Sequence, residues 1–203
     1  MSRATRILGK LRREERGATL VEFTLLLVPM LIFLMGSLDL GYMMYVRSVL
    51  QGALNDVGRV ASVETPNFTT AGATLEQKMD AAIKARMKPI IGNATYTIRK
   101  SSYYQFSRIG KPEKLVTDVD TDGRYDPGDC WQDDNRNGVY NTDSGKGGIG
   151  GADDIVVYHV TLTAPRLLPM AGLLKMPTNY EINVKTTIRN QPYADQPEPP
   201  VVC

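Results

Sequence analysis

The chain is poor in the residues that most often carry chemistry. Among 203 residues it has one histidine, one tryptophan, four phenylalanines and two cysteines. No Ser or Cys lies in a recognisable nucleophilic constellation, and there is neither an HExxH pattern nor a glycine-rich phosphate loop. His159 falls in the middle of an alternating, strand-like run and reads as structural or solvent-facing. These absences argue against an enzyme and against an organic cofactor. The overall charge is only +2, and most of the basic excess sits at the N-terminal end, so the composition does not describe a nucleic-acid-binding surface.

One stretch lacks charge altogether. Phe23 to Leu38 contains no ionisable side chain, and from Ala18 to Leu38 the only charge in 21 residues is Glu22. A helix of that length spans roughly 31 Å, which matches a hydrocarbon core of about 30 Å. A carboxylate near the start of such a run costs a few kcal/mol to place in lipid and is a functional candidate for that reason. Ahead of the run, residues 1–17 hold six basic residues against Glu14 and Glu15. The positive-inside rule then keeps this end cytoplasmic and exports the remainder. A cleaved secretory signal and a plain uncleaved anchor are the alternatives. The run ends in Ser37-Leu38-Asp39-Leu40-Gly41-Tyr42, however, which lacks the small-x-small site of a signal peptide.

Gly17, four residues, Glu22 and then an apolar run, all behind a basic leader, resembles a type IV prepilin signal. The resemblance implies cutting after Gly17 by a prepilin peptidase on the cytoplasmic side. That would leave Ala18 as the new N-terminus and Glu22 as the fifth residue, followed by Phe23. It also implies that Glu22 pairs with a newly made α-amino group, its own or a neighbour's. A buried carboxylate is tolerable when so paired. Cleavage there would leave 18 Lys and Arg against 20 Asp and Glu, a net of −2 over 186 residues.

Beyond the membrane run helical periodicity persists. Tyr42, Val46, Val49, Leu50, Ala53, Val57, Val60 and Ala61 recur at spacings of three and four, opposite Arg47, Ser48, Gln51, Asn55, Asp56 and Arg59. The pattern predicts one helix from about Ala18 to about Glu64. It is apolar all round over 18–40 and amphipathic over 41–64, with a kink or loosened turn at Pro29. Asp39, at the outer boundary, reads as a solvated charge, with an intersubunit contact as the alternative. Thr74-Leu75-Glu76-Gln77 resembles a capping box and opens a second amphipathic helix that Pro89 ends. Strands are predicted over Ala94–Arg99, with Tyr103–Phe106 as an extension, and over Asp154–Thr163 and Tyr180–Arg189. The apolar stretch Arg166–Leu174 between the last two reads as a core-capping turn, with a membrane-surface or subunit contact as the alternative.

Residues 117–153 differ in composition, being acidic, rich in glycine and poor in aliphatics. Asp118, Asp120, Asp122, Asp126 and Asp129 fall at places 1, 3, 5, 9 and 12, with Gly123 at place 6. That is the ligand spacing of an EF-hand-like calcium loop, with Asp where Glu is usual at the end. Hard oxygen ligands on alternate residues and a glycine for the sharp turn are what the ion requires. Asp133, Asn135, Asn137 and Gly138 repeat the opening, but Asp143 falls at the eleventh place and Ser144 at the twelfth. The second loop is therefore incomplete unless Asp153 or Asp154 completes it. The alternative for both is a polar turn that binds nothing. Cys130, between the loops, and Cys203 form an even pair that suggests a disulfide in an exported domain. The bridge would tie down a Pro-rich tail over 193–203.

Several features together resemble TadE-like proteins of the tight-adherence (Flp-type) pilus. They are the Gly17–Phe23 signal, the Asp39-x-Gly41-Tyr42 exit, a strand ending in Ala164-Pro165, a Leu-Leu-Pro segment, and a last strand closing on Thr187-Ile188-Arg189-Asn190-Gln191-Pro192. Many relatives have Glu where this chain has Gln191. The resemblance covers about residues 12–64 and 154–192, and the acidic middle looks like an insertion. It implies an α+β, pilin-like fold: a long N-terminal transmembrane and amphipathic helix packed on a small antiparallel-sheet head over 65–192. It further implies a minor pilin or pseudopilin, single-pass in a bacterial inner membrane with the head periplasmic or in the surface pilus. Its partners would be the prepilin peptidase, other pilin-like subunits and the assembly machinery. A membrane-anchored, calcium-dependent surface adhesion module that never polymerises is the other function class. If the prepilin reading holds, Gly17→Arg leaves residues 1–17 attached, because the peptidase needs a small residue at the cut. Intact-mass analysis of the membrane protein tests it, and a wild-type mass that still includes those residues refutes the reading.

Overall fold

The computed structural model describes residues 16–168, 172 and 175–203. The basic leader over 1–15, and Pro169, Met170, Ala171, Leu173 and Leu174 of the predicted apolar turn, lie outside the described residues. The chain divides into two compact units. One comprises the N-terminal residues to Met43 together with Arg166–Thr178, and the other comprises Met44–Pro165 with Asn179–Cys203.

The first element is a helix, α1, over Arg16–Ala61, 46 residues that remain helical through Pro29. Ser62 to Glu64 fall outside it, a few residues short of the predicted end and ahead of Pro66. Within the first unit most of its apolar side chains are exposed: Leu20, Phe23, Leu25 and Phe33 are 70, 62, 75 and 78 % exposed. The segment Thr19–Ala61 is one helix long and apolar enough to cross a membrane. A surface of this kind has no stable place in water and calls for lipid or an apolar partner.

In the second unit the helix changes character. Val46, Leu50, Ala53, Leu54, Val57 and Ala61 are buried, while Arg47, Ser48, Asn55 and Asp56 face outward. This is the predicted stripe, with Leu54 added and Val60 40 % exposed. A shorter helix, α2 (Leu75–Met87), buries Met79, Ile83 and Met87, one residue per turn on a single face. Thr74 caps it, its hydroxyl accepting from the Gln77 N–H at 3.2 Å. Gln77 Oε1 accepts in turn from the Ala73 N–H at 2.9 Å. Two donors at the helix start are thus satisfied by side chains, as the capping-box reading requires in outline.

Both helices meet an antiparallel sheet of four strands: β1 (Thr95–Tyr103), β4 (Lys146–Gly147), β5 (Ile155–Pro165) and β6 (Asn179–Arg189), in the order β4-β1-β5-β6. The long strands pair without a break, Tyr96 opposite Leu162, Val160 opposite Val184, and Val156 opposite Ile188. Because side chains alternate, Val156, Tyr158, Val160 and Leu162 share one face with Tyr180, Ile182 and Val184. The α1 stripe packs there. A side-chain carbon added at Gly58 would meet the terminal methyl of Ile188, so the helix approaches the sheet closely there. Gln51 Nε2 donates to the Lys185 carbonyl at 3.3 Å. Arg86 pairs with Asp56 between the helices, and Lys100 Nζ lies 2.6 Å from Asp80 Oδ1 between β1 and α2. The other face is thinner: Ile155 and Val157 cluster with Tyr103 and Ile109. His159 points to solvent.

The acidic middle was expected as loop and carries more backbone order than that. A second, three-stranded sheet joins β2 (Lys114–Thr117), β3 (Cys130–Gln132) and β7 (Val201–Val202) in the order β2-β3-β7. Strands of two to four residues leave no periodic trace in a sequence, which is why they escape a pattern reading. Cys130 and Cys203 form the disulfide that joins β3 to the tail. The tail is further held by the Asp133 N–H donating to the Pro200 carbonyl at 2.9 Å and by Arg136 donating to Pro197 and Glu198 carbonyls. In the chain-entropy model, a bridge closing a loop this long is worth about 4 kcal/mol. Replacing both cysteines by serine is therefore expected to lower unfolding free energy by up to that amount, read by denaturant titration. Free thiols at Cys130 and Cys203 in the unreduced protein would contradict the bridge.

Candidate functional site

Three places hold the residues singled out by sequence. The first is the start of α1. Gly17, Ala18, Glu22 and Phe23 all lie within the helix, and Glu22 is exposed between the exposed Val21 and Phe23. A carboxylate is thus set into an otherwise apolar helix surface.

The second is Asp39. It is only 4 % exposed and forms an ion pair with Arg166, so the expected solvated charge is not observed. Arg166 is fixed in turn: its Nε donates to the Pro177 carbonyl at 2.7 Å and its N–H to the Thr178 carbonyl at 3.1 Å. Removing either partner of a buried ion pair strands the other. Arg166 lies far from Asp39 in sequence, so nothing local announced the pairing.

The third is the pair of loops in the second unit. They share one backbone template. Gly123 N–H donates to Asp118 Oδ2 at 2.8 Å, and Gly138 N–H to Asp133 Oδ2 at 2.7 Å. Arg124 N–H donates to Asp122 Oδ1 at 2.7 Å, and Val139 N–H to Asn137 Oδ1 at 2.8 Å. The fourth and sixth places are left-handed in both, Thr121 and Gly123 at φ 59° and 77°, Arg136 and Gly138 at φ 61° and 74°. Glycine adopts such an angle without strain, which accounts for its place in the spacing.

The loops differ in what surrounds them. In the first, carboxylate oxygens of Asp118, Asp120 and Asp122 lie within 4.8 Å of one another, Asp118 half-buried and the other two exposed. Asp126 is not in that group. Asp129 is buried and turned to backbone donors, accepting from Val119 N–H at 2.9 Å and Asp126 N–H at 2.8 Å. In the second, Asp133 and Asn135 are 2 and 8 % exposed. Asn135 and Asn137 both donate through Nδ2 to Asn141 Oδ1, at 2.8 and 2.6 Å, so three amides converge on one point. Asp143 lies elsewhere, its Oδ1 accepting from Gly145 N–H at 3.1 Å and its Oδ2 3.4 Å from the Tyr103 hydroxyl. Asp153 pairs with Arg189, and Asp154 accepts from Gly151 N–H and Gln196. Neither completes the second loop.

Sequence reasoning missed two carboxylates and a cluster of rings. Glu113, just ahead of β2, is 2 % exposed. Its N–H donates to the Asn141 carbonyl at 3.0 Å while its Oε2 accepts from the Asn141 N–H at 2.9 Å. Burial, with the nearby charges of Asp133 and Asp134, raises its pKa despite the backbone donors. The Asp134 side chain is fully buried, with Arg108 Nε 3.4 Å from its Oδ2. Burial raises the Asp134 pKa, and Arg108 opposes the rise. Tyr125 of the first loop stacks on Tyr140 of the second at 4.3 Å, and Trp131 meets Tyr125 edge-on at 5.1 Å. Glu113 in Lys-Pro-Glu-Lys carries no spacing signal, and only the fold brings it to the loop.

Residues 17–59 match the family model described as TadE-like protein, about a fifth of the chain. The match lies within the first of the two stretches, about residues 12–64 and 154–192, that carry the TadE-like resemblance. Searches of curated proteins and of solved structures found no match.

Removing Arg108 would leave Asp134 buried beside Asp133 without its cation. Arg108→Ala is expected to destabilise the protein by about 3–5 kcal/mol, read by thermal unfolding of the full chain in detergent. The sign of the pH effect follows from the raised pKa. Asp134 takes up a proton more readily when folded, so the penalty is relieved as pH falls and grows as pH rises through that pKa. The deficit of Arg108→Ala against wild type should be larger at neutral than at mildly acidic pH. A deficit unchanged with pH would show that the lost stability is not electrostatic.

Proposed function

We propose that this chain, TadE-like over residues 17–59, is a minor pilin or pseudopilin of a tight-adherence type pilus, matured by a prepilin peptidase that cuts after Gly17. The observation that carries the reading is a coincidence of boundaries. The family match opens at Gly17, the long uncharged stretch follows directly behind it, and Glu22 is the one charge from Ala18 to Leu38. A helix with such exposed apolar sides supports insertion in the inner membrane, with the folded head on the exported side. The role is structural rather than catalytic: a helix that packs with other pilin-like helices and a head that presents a surface.

The chemistry of Glu22 fits assembly. In a low-dielectric bundle an unpaired carboxylate is costly, and a new α-amino group is the cation that cutting at Gly17 would create. Pairing between neighbouring subunits would set their register, since only one axial offset brings the two charges together.

Glu22→Val separates processing from assembly. Valine suits a lipid-embedded helix better than a carboxylate, so insertion is maintained or improved, and cutting at Gly17 is expected to persist. The expected result is a processed, membrane-resident protein at normal level that fails to support pili. Shearing of surface filaments beside an immunoblot of the processed form tests it. Wild-type piliation with Glu22→Val would remove the assembly role and favour an anchored adhesion module.

A further inference from the structure

The buried environment of Glu113 bears on the second loop and does not depend on the pilus reading. By position the loop supplies Asp133, Asn135, Asn137 and Asn141 at places 1, 3, 5 and 9, with the Val139 carbonyl at place 7. What it lacks is the carboxylate that a twelve-residue calcium loop carries at its end. Ser144 stands at the twelfth place and is turned away, its hydroxyl donating to the Arg108 carbonyl at 3.2 Å. Asp143 faces Tyr103.

Glu113, from outside the loop, is tied to it. Its main chain and Oε2 are both locked to Asn141, the ninth place. Its other oxygen, Oε1, is buried and accepts no hydrogen bond. A carboxylate oxygen shut away from water without a donor is expensive, and more so near the charge of Asp133. A water molecule could satisfy the lone pair but not the paired negative charges. A divalent cation satisfies both.

We propose that the second loop binds a calcium ion through Asp133, Asn135, Asn137 and Asn141, and that Glu113 supplies in trans the carboxylate missing from its twelfth place. Five side chains and one carbonyl provide at least six oxygens, a number that suits calcium better than magnesium, which keeps several waters and tolerates only near-octahedral geometry. Two carboxylates balance the charge of the ion. The acidic group of the first loop forms no part of the proposal.

The test uses the full chain in detergent, stripped with chelator and titrated with calcium chloride by calorimetry, alongside thermal unfolding with and without the ion. Wild type is expected to bind calcium and to unfold at higher temperature in its presence. Glu113→Gln should weaken that binding by roughly tenfold or more, since ligand charge sets affinity. In chelator, however, it should melt no lower than wild type, because the amide removes a buried charge beside Asp133. Asp120→Asn with Asp122→Asn in the first loop should leave the Glu113-dependent event in place. Asn137→Ala, at an exposed position, should weaken the same event and serves if Glu113→Gln fails to fold. The proposal is overturned if wild type binds no calcium. It is overturned equally if Glu113→Gln binds as wild type does, or if binding disappears with the first-loop variants alone. A Glu113→Gln protein that melts lower in chelator with an unchanged calcium gain would make Glu113 structural only, and would also overturn it.

Discussion

The head is organised by the burial of one helical stripe against one sheet face. Val46, Leu50, Ala53, Leu54, Val57 and Ala61 supply the helix side, and the even positions of β5 with their partners on β6 supply the other. Each apolar side chain fully buried in such a layer contributes about 1.5–3 kcal/mol. Polar links such as Gln51 to the Lys185 carbonyl are few and sit at the margin. Gly58 permits the close approach, and α2 covers a further part of the same core through Met79, Ile83 and Met87. Hydrogen bonding within the sheet fixes register, but the fit of stripe to face is what makes a compact head from two long strands and a helix.

The same helix must satisfy two surroundings, and this explains much of what could be read from sequence. An element apolar on all sides and then apolar on one side has a signature that depends only on local order. The boundaries of α1 and α2 were legible because Pro66, Pro89 and Thr74 act through neighbouring backbone groups. The long strands were legible because alternation along Tyr180–Arg189 reports a half-buried ribbon. The TadE-like resemblance over α1 rests on the same local pattern, and the family match lies within it.

What could not be read depends on residues brought together from a distance. Asp39 looked like a charge facing water because Arg166 lies 127 positions away. Glu113 was invisible because a single glutamate among lysines and a proline fits any surface loop. Asp143 falls one place short of the closing ligand of a metal loop, and its carboxylate faces the Tyr103 hydroxyl. The strands β2, β3 and β7 are too short to show a period, and each exists because the others are present.

The covalent link between β3 and the tail has a mechanical side. Cys130 and Cys203 are 73 positions apart, and the closed ring between them holds β4, β5 and β6. A pull between the helical end and the carboxyl end passes through the sulfur–sulfur bond and bypasses the ring. Strands β5 and β6 then cannot be drawn out lengthwise, whatever the force on the tail. Extension under load is confined to the segment before Cys130, where β1 would have to peel from β5. A head so wired keeps its central hairpin closed under tension while its outer strand yields first.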